Sequence, residues 1–154
     1  MSGPDPVRPP VRVAVVGGAA VEEPEYELAR ELGLALATHG AVVVCGGGGG
    51  VMEAAARGAA SVGGLTVGIL PGREADEANP WIRLRMPTGM GEARNALIVR
   101  AAEAVVAVGG SWGTLSEIAL ARKMGRDVAV LGRPPVQGLG LSRALLTDTI
   151  LRGV

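Results

Sequence analysis

The residues of this 154-residue chain that could do chemistry lie in glycine clusters and beside them. Gly109-Gly110-Ser111-Trp112-Gly113-Thr114 follows an apolar run and opens a helical pattern. Glycine lets a backbone adopt positive φ and approach a ligand without a Cβ. The unpaired N–H groups at a helix start, backed by the helix dipole, then attract an anion. Ser111 and Thr114 add hydroxyl donors, so a phosphate is expected on Gly110, Ser111, Gly113 and Thr114. Gly17-Gly18 and the run from Gly46 to Gly50 follow two other apolar segments. Gly18, Gly47 and Gly50 are expected beside the same ligand, with Met90, from a fourth loop at 88–91, as an apolar group next to it. Glycines also serve simply to permit tight turns, so the convergence of four such loops on one sheet edge weighs more than any single cluster. The chain has no G-x-x-x-x-G-K-[ST] sequence, which excludes a P-loop NTPase. The 46–50 run lacks the third glycine of the dinucleotide fingerprint, which argues against NAD.

Two charged residues stand near these loops. Arg94 opens the helical pattern after the 88–91 loop, where a guanidinium either grips a phosphate through two N–H groups or stays solvated. Glu117 lies one turn into the helix that starts near Gly113. It either favours the helix dipole or faces the cleft as an acid, a base or a stabiliser of an oxocarbenium ion. Trp112 is read as stacking on a base or covering a neighbouring subunit, and Glu53 as a partner of its own helix dipole. The single histidine, His39, and the single cysteine, Cys45, are read as structural, and together they cannot make an ordinary zinc cluster, so no metal site is expected.

The elements that must position these groups alternate. Strands are expected at 11–16, 41–45, 65–70, 81–86, 104–108 and 127–131. Helices are expected from 22–24 to Gly40, at 51–60, 92–102 and 114–124, with a last one at 141–151. Continuously apolar strands such as AVVVC at 41–45 suit a parallel sheet covered on both faces. The fold class is therefore α/β: a single Rossmann-like domain at 11–154, an open parallel sheet with helices on both faces, preceded by a flexible tail at 1–10. In such a sheet the ligand sits beyond the carboxyl ends of the strands, near a topological switch point.

Composition narrows the partners. Fifteen basic and fifteen acidic residues give no net charge to attract a phosphate backbone, so nucleic acid is not expected. No apolar run is long enough to span a membrane and the first residues lack a signal-peptide core, so the chain reads as cytoplasmic. A core with no Phe, one Tyr and two Trp must be packed from Ala, Val and Leu.

At these residues the chain resembles a known superfamily. Residues 45–52 (CGGGGGVM) are similar to the G-G-G-x-x-G-[LV]-M loop of Lonely Guy proteins, often labelled lysine decarboxylase-like, and residues 109–117 (GGSWGTLSE) to their P-G-G-x-G-T-x-x-E motif. Residues 88–95 (TGMGEARN) occupy the place of their arginine-bearing helix start. Lonely Guy enzymes are phosphoribohydrolases that release the base from nucleoside 5′-monophosphates, and the resemblance implies Arg94 and Glu117 as a catalytic pair with Gly110, Gly113 and Thr114 on the phosphate. The chain departs from that pattern: Cys45, Gly109 and Ser111 replace a glycine, a proline and a glycine, and Asn95 replaces the lysine after the arginine. With these changes it resembles more the sister branch that includes the molybdenum cofactor carrier, which binds a pterin phosphate. The resemblance thus implies binding of a nucleotide-like or pterin ligand, such as the molybdenum cofactor or a nucleoside monophosphate, with hydrolysis as the alternative. It also implies a homodimer or homotetramer.

Overall fold

The structure is a computed structural model and describes residues 3–133; the helix expected at 141–151 lies outside them. Six strands, β1 (Arg12–Gly17), β2 (Val42–Cys45), β3 (Thr66–Leu70), β4 (Leu84–Pro87), β5 (Ala104–Val108) and β6 (Asp127–Leu131), form one sheet in the order β4-β3-β2-β1-β5-β6. Every neighbouring pair is parallel. Four helices, α1 (Glu23–Thr38), α2 (Val51–Ala60), α3 (Asn95–Ala101) and α4 (Trp112–Lys123), complete the Rossmann-like α/β domain. Residues 3–10 are exposed and carry neither helix nor strand. Among the described residues no helix is long and apolar enough to cross a membrane.

Alternating side chains divide the core in two. Val13, Val15 and Val43 face α1 and α2, packing on Ala29, Leu36, Val51 and Ala55. Ala14, Val16 and Val44 face α3 and α4, packing on Ile98, Val99, Ile118 and Ala121. Small side chains bring helix close to sheet and helix close to helix. At the α1–α2 crossing, a Cβ built on Gly33 would collide with the carbonyl of Ala55, and one on Gly58 with the carbonyl of Arg30. Gly33→Ala is therefore expected to destabilise the fold by about 1–2 kcal/mol through overpacking, read as a lowered denaturation midpoint.

Two elements differ from the sequence pattern. The alternation at 81–86 reads as a strand, yet β4 begins only at Leu84. Thr66 Oγ1 donates to the Trp81 carbonyl at 2.7 Å and accepts from Arg83 N at 2.9 Å, so this segment bonds a side chain instead of the ladder. Ile82 meanwhile turns into a small cluster with Cys45 and Ala56. The helix expected from 92 opens as a 3₁₀ turn, Gly91–Arg94, entered through Gly91 at φ 58°, and α3 proper starts at Asn95.

The sheet order reverses between β1 and β5: β1 to β4 run outward one way, and β5 returns to the other side of β1. The loops after β1 and β5 thus diverge to opposite faces, and the opening between them is where a ligand fits.

Candidate functional site

A cleft of about 790 Å³ opens at that switch point. Its floor is the end of β1 with Gly17, Gly18 and Ala19, and its walls are the Gly91–Arg94 turn with the start of α3, and the loop and first turns of α4. It gathers seven of the residues expected from the sequence: Gly18, Arg94, Ser111, Trp112, Gly113, Thr114 and Glu117. Gly47, Gly50, Gly110 and Met90 do not line it. Gly50 takes φ 63° and would clash with the Gly18 carbonyl if it bore a Cβ; Gly110 takes φ 95° and packs against the Thr114 side chain. Both bend the chain beneath the site. Met90 is exposed on its loop.

The β5–α4 connection builds the anion end. Gly109 and Gly110 carry the backbone through positive φ, and Ser111 caps α4 through its carbonyl, which accepts from Leu115 N at 2.9 Å. The N–H groups before Leu115 have no carbonyl a turn behind them, so the first turn of α4 presents free donors to the cleft. A Cβ on Gly113 would have nothing within 4 Å among the described residues, so the space above this position is open there. Trp112 stands at the rim, 80% exposed.

The same cleft holds the charged pair. Glu117 is only 8% exposed, and no residue of the described chain donates a hydrogen bond to it. Burial pushes its carboxyl from 4.5 up to about 7, against the pull of the Arg94 guanidinium. Arg94 Nε is buried without a partner, and no ion pair within 4.0 Å joins Arg94 to Glu117. Arg94 Nη1 donates to Asn95 Oδ1; Asn95 Nδ2 donates to Ser116 Oγ at 3.3 Å, and Ser116 Oγ to the Gly113 carbonyl at 2.7 Å. The guanidinium is thereby tied to the anion loop. Asn95 and Ser116 are not among the site residues expected from the sequence. Ser116 follows Gly113 by three positions, the offset of a hydroxyl that bonds back one turn, but Asn95 meets it only because α3 and α4 lie side by side.

The 46–50 loop supports Arg94 from below. A Cβ on Gly46 would lie 2.7 Å from Arg94 Nη2, so only glycine leaves room for the guanidinium where it lies. Asn79 fixes this loop: its N–H donates to the Gly47 carbonyl and its Nδ2 to the Gly48 carbonyl, each at 2.8 Å, while its Oδ1 accepts from Trp81 N at 3.1 Å. Asn79→Ala leaves two of those groups unpaired and is expected to cost about 1–2 kcal/mol in urea unfolding, with faster amide exchange confined to 46–50 and 79–81. Cys45, fully buried under this loop with its thiol accepting from Gly47 N at 3.3 Å, is pushed by burial to about 11 and stays an unreactive thiol. His39 caps α1, its Nδ1 2.8 Å from the Ala35 carbonyl.

With this geometry established, comparison with known proteins places the chain. The model of the SLOG cluster4 family matches residues 10–149. An uncharacterised protein of Archaeoglobus fulgidus is 47% identical over 126 residues, 82% of each chain. The structure of the molybdenum cofactor binding protein from the phototrophic bacterium Rippkaea orientalis superposes with a TM-score of 0.79 at 33% identity, over 97% of this chain and 89% of that one. The Moco carrier protein from Chlamydomonas reinhardtii gives 0.79 at 31% identity, over 94% and 98%.

Proposed function

We propose that this chain, which belongs to the SLOG cluster4 family, binds and carries a small phosphorylated heterocycle: a pterin phosphate such as the molybdenum cofactor, or a nucleoside 5′-monophosphate. The observation that carries the reading is the pairing, in one cleft, of an open helix N-terminus at Gly113 with the buried, unpartnered Nε of Arg94 and the nearly buried Glu117. The phosphate is held by the first-turn amides of α4 and the hydroxyls of Ser111 and Thr114, where the helix dipole favours it. Trp112, free at the rim, stacks on the ring. The cleft is large enough for such a ligand, whose fused ring and phosphate fall within the usual range of small-molecule sites. The solved structures named for molybdenum cofactor binding and carriage support a pterin as the cargo.

A second reading is favoured by one observation, the Glu117 carboxyl raised to about 7 by burial. A group poised there serves proton transfer near neutrality, as N-glycosidic hydrolysis of a nucleoside 5′-monophosphate requires, with Arg94 orienting the substrate. Incubation with a panel of nucleoside 5′-monophosphates and chromatography of the products separates the two. The carrier reading expects every ligand to be recovered intact. Release of free base that is lost in Glu117→Ala would make the protein a phosphoribohydrolase.

Self-association is part of the same proposal. In the β3–β4 ladder Val67 pairs Leu84 and Ile69 pairs Met86, which puts all four on the face that α3 and α4 cover elsewhere. Leu84 and Met86 stay 50% and 53% exposed. A second copy laid over this half of the sheet would bury them, giving a homodimer or, with a further contact, a homotetramer. Sedimentation at micromolar concentration is expected to show one of these, and Met86→Glu to shift it toward monomer.

A further inference from the structure

We infer that Glu117 and Arg94 together read the 2-amino-4-oxo pyrimidine edge shared by guanine and pterins. The Glu117 carboxylate accepts from the ring N–H and the exocyclic amino group, and Arg94 Nε donates to the ring carbonyl. This rests on the proposed ligand-binding role of the cleft and specifies which ring it takes.

Buried polar groups in folded proteins nearly always have partners. Here two groups of the same cleft have no hydrogen-bond partner among the described residues: Arg94 Nε, which is buried, and the carboxyl of Glu117, a residue only 8% exposed. They do not satisfy each other, since no ion pair within 4.0 Å joins them. The guanidinium is held through Nη1 by Asn95 and rests over Gly46, and Glu117 sits within α4. The space between them therefore calls for a group that offers donors to one side and an acceptor to the other.

Charge selects the kind of group. A phosphate at that position would be set against the Glu117 carboxylate, and it already has the α4 N-terminus nearby. A cation would be set against Arg94. A neutral ring edge with two adjacent N–H donors and a neighbouring carbonyl satisfies both residues without placing like charges together. Guanine and pterins carry that edge. Hypoxanthine lacks the exocyclic amine, leaving one carboxylate oxygen unpaired. Adenine presents a ring-nitrogen lone pair toward the carboxylate and has no carbonyl for Arg94. Leaving a buried polar group unpaired is what makes such a site reject the wrong ring.

The test is calorimetric titration of the intact protein with GMP, IMP, AMP and neopterin monophosphate at about pH 8, where the Glu117 carboxyl is ionised. GMP and neopterin monophosphate are expected to bind at least about tenfold more tightly than AMP, with IMP between, the discrimination typical of a paired donor–acceptor contact to a base edge. Glu117→Gln keeps the shape but turns one acceptor into a donor. It is expected to bring GMP and AMP within about threefold of each other while inorganic phosphate still competes for the site, which shows that the variant is folded. Arg94→Met is expected to weaken GMP more than AMP. Equal binding of GMP and AMP by the unaltered protein, or a preference that survives Glu117→Gln, overturns the inference alone. Failure of all four compounds to bind overturns the ligand-binding reading as well.

Discussion

Gly113→Val is expected to abolish ligand binding while leaving the fold unchanged. The new side chain starts from open space, because a Cβ at Gly113 has no neighbour within 4 Å among the described residues. The residue lies in the first turn of α4, where an ordinary helical conformation suits valine. The denaturation midpoint should therefore stay within about 2 °C of the original. The same side chain would occupy the space from which a phosphate reaches the first amides of α4. Each hydrogen bond to a charged group contributes about 1.5–3 kcal/mol, so losing two such contacts weakens binding by about a hundredfold or more. Calorimetry and thermal denaturation on the same preparation check both halves. A variant that binds as before would move the phosphate away from this helix.

The second large effect concerns Glu117 and pH. Burial raises its carboxyl from 4.5 to about 7 in the native state, so between those values the native state holds a proton that the unfolded chain releases. The stability that this carboxyl allows is fully present below about pH 4.5 and is lost as pH rises through about 7. Above that, the buried charge costs about 3 kcal/mol. Glu117→Gln removes the titration. It is expected to stabilise the protein by about that amount above pH 8, and to change stability little below about pH 4. Urea unfolding at the two pH values checks this, and an equal gain at both would mean that Glu117 ionises normally. A residue kept at such a cost fits a site whose ligand supplies the missing donors.

Much of this arrangement was legible in the sequence because every strand but β4 is a largely apolar run, and each ends at glycine or proline. The runs at 104–108 and 127–131 coincide with β5 and β6. The coming together of Gly18, Arg94 and the 111–117 segment follows from the rule that ligands gather at the carboxyl edge of a parallel sheet. Strand order was not legible: nothing local says that β5 returns beside β1, and that return is what sets Arg94 across the cleft from Glu117. Nor could the pattern separate glycines that face the cleft from those that bend the chain. Gly113 and Gly50 look alike in the sequence, but one has open space at its Cβ and the other has the Gly18 carbonyl. The β4 start was misplaced because Thr66, a residue of another strand, takes the bonds of Trp81 and Arg83. Asn79 gave no signal, since its bonds run to a loop some thirty residues away and to its own turn.

The central claim is that the α4 end of the cleft holds the phosphate of a heterocyclic ligand, and competition tests it most directly. Neopterin monophosphate, GMP and the corresponding unphosphorylated neopterin and guanosine would be titrated with and without inorganic phosphate. Binding of a phosphorylated compound, at least about tenfold weaker without its phosphate and displaced by inorganic phosphate, is the predicted result. Binding that is indifferent both to the ligand's phosphate and to added phosphate would contradict it.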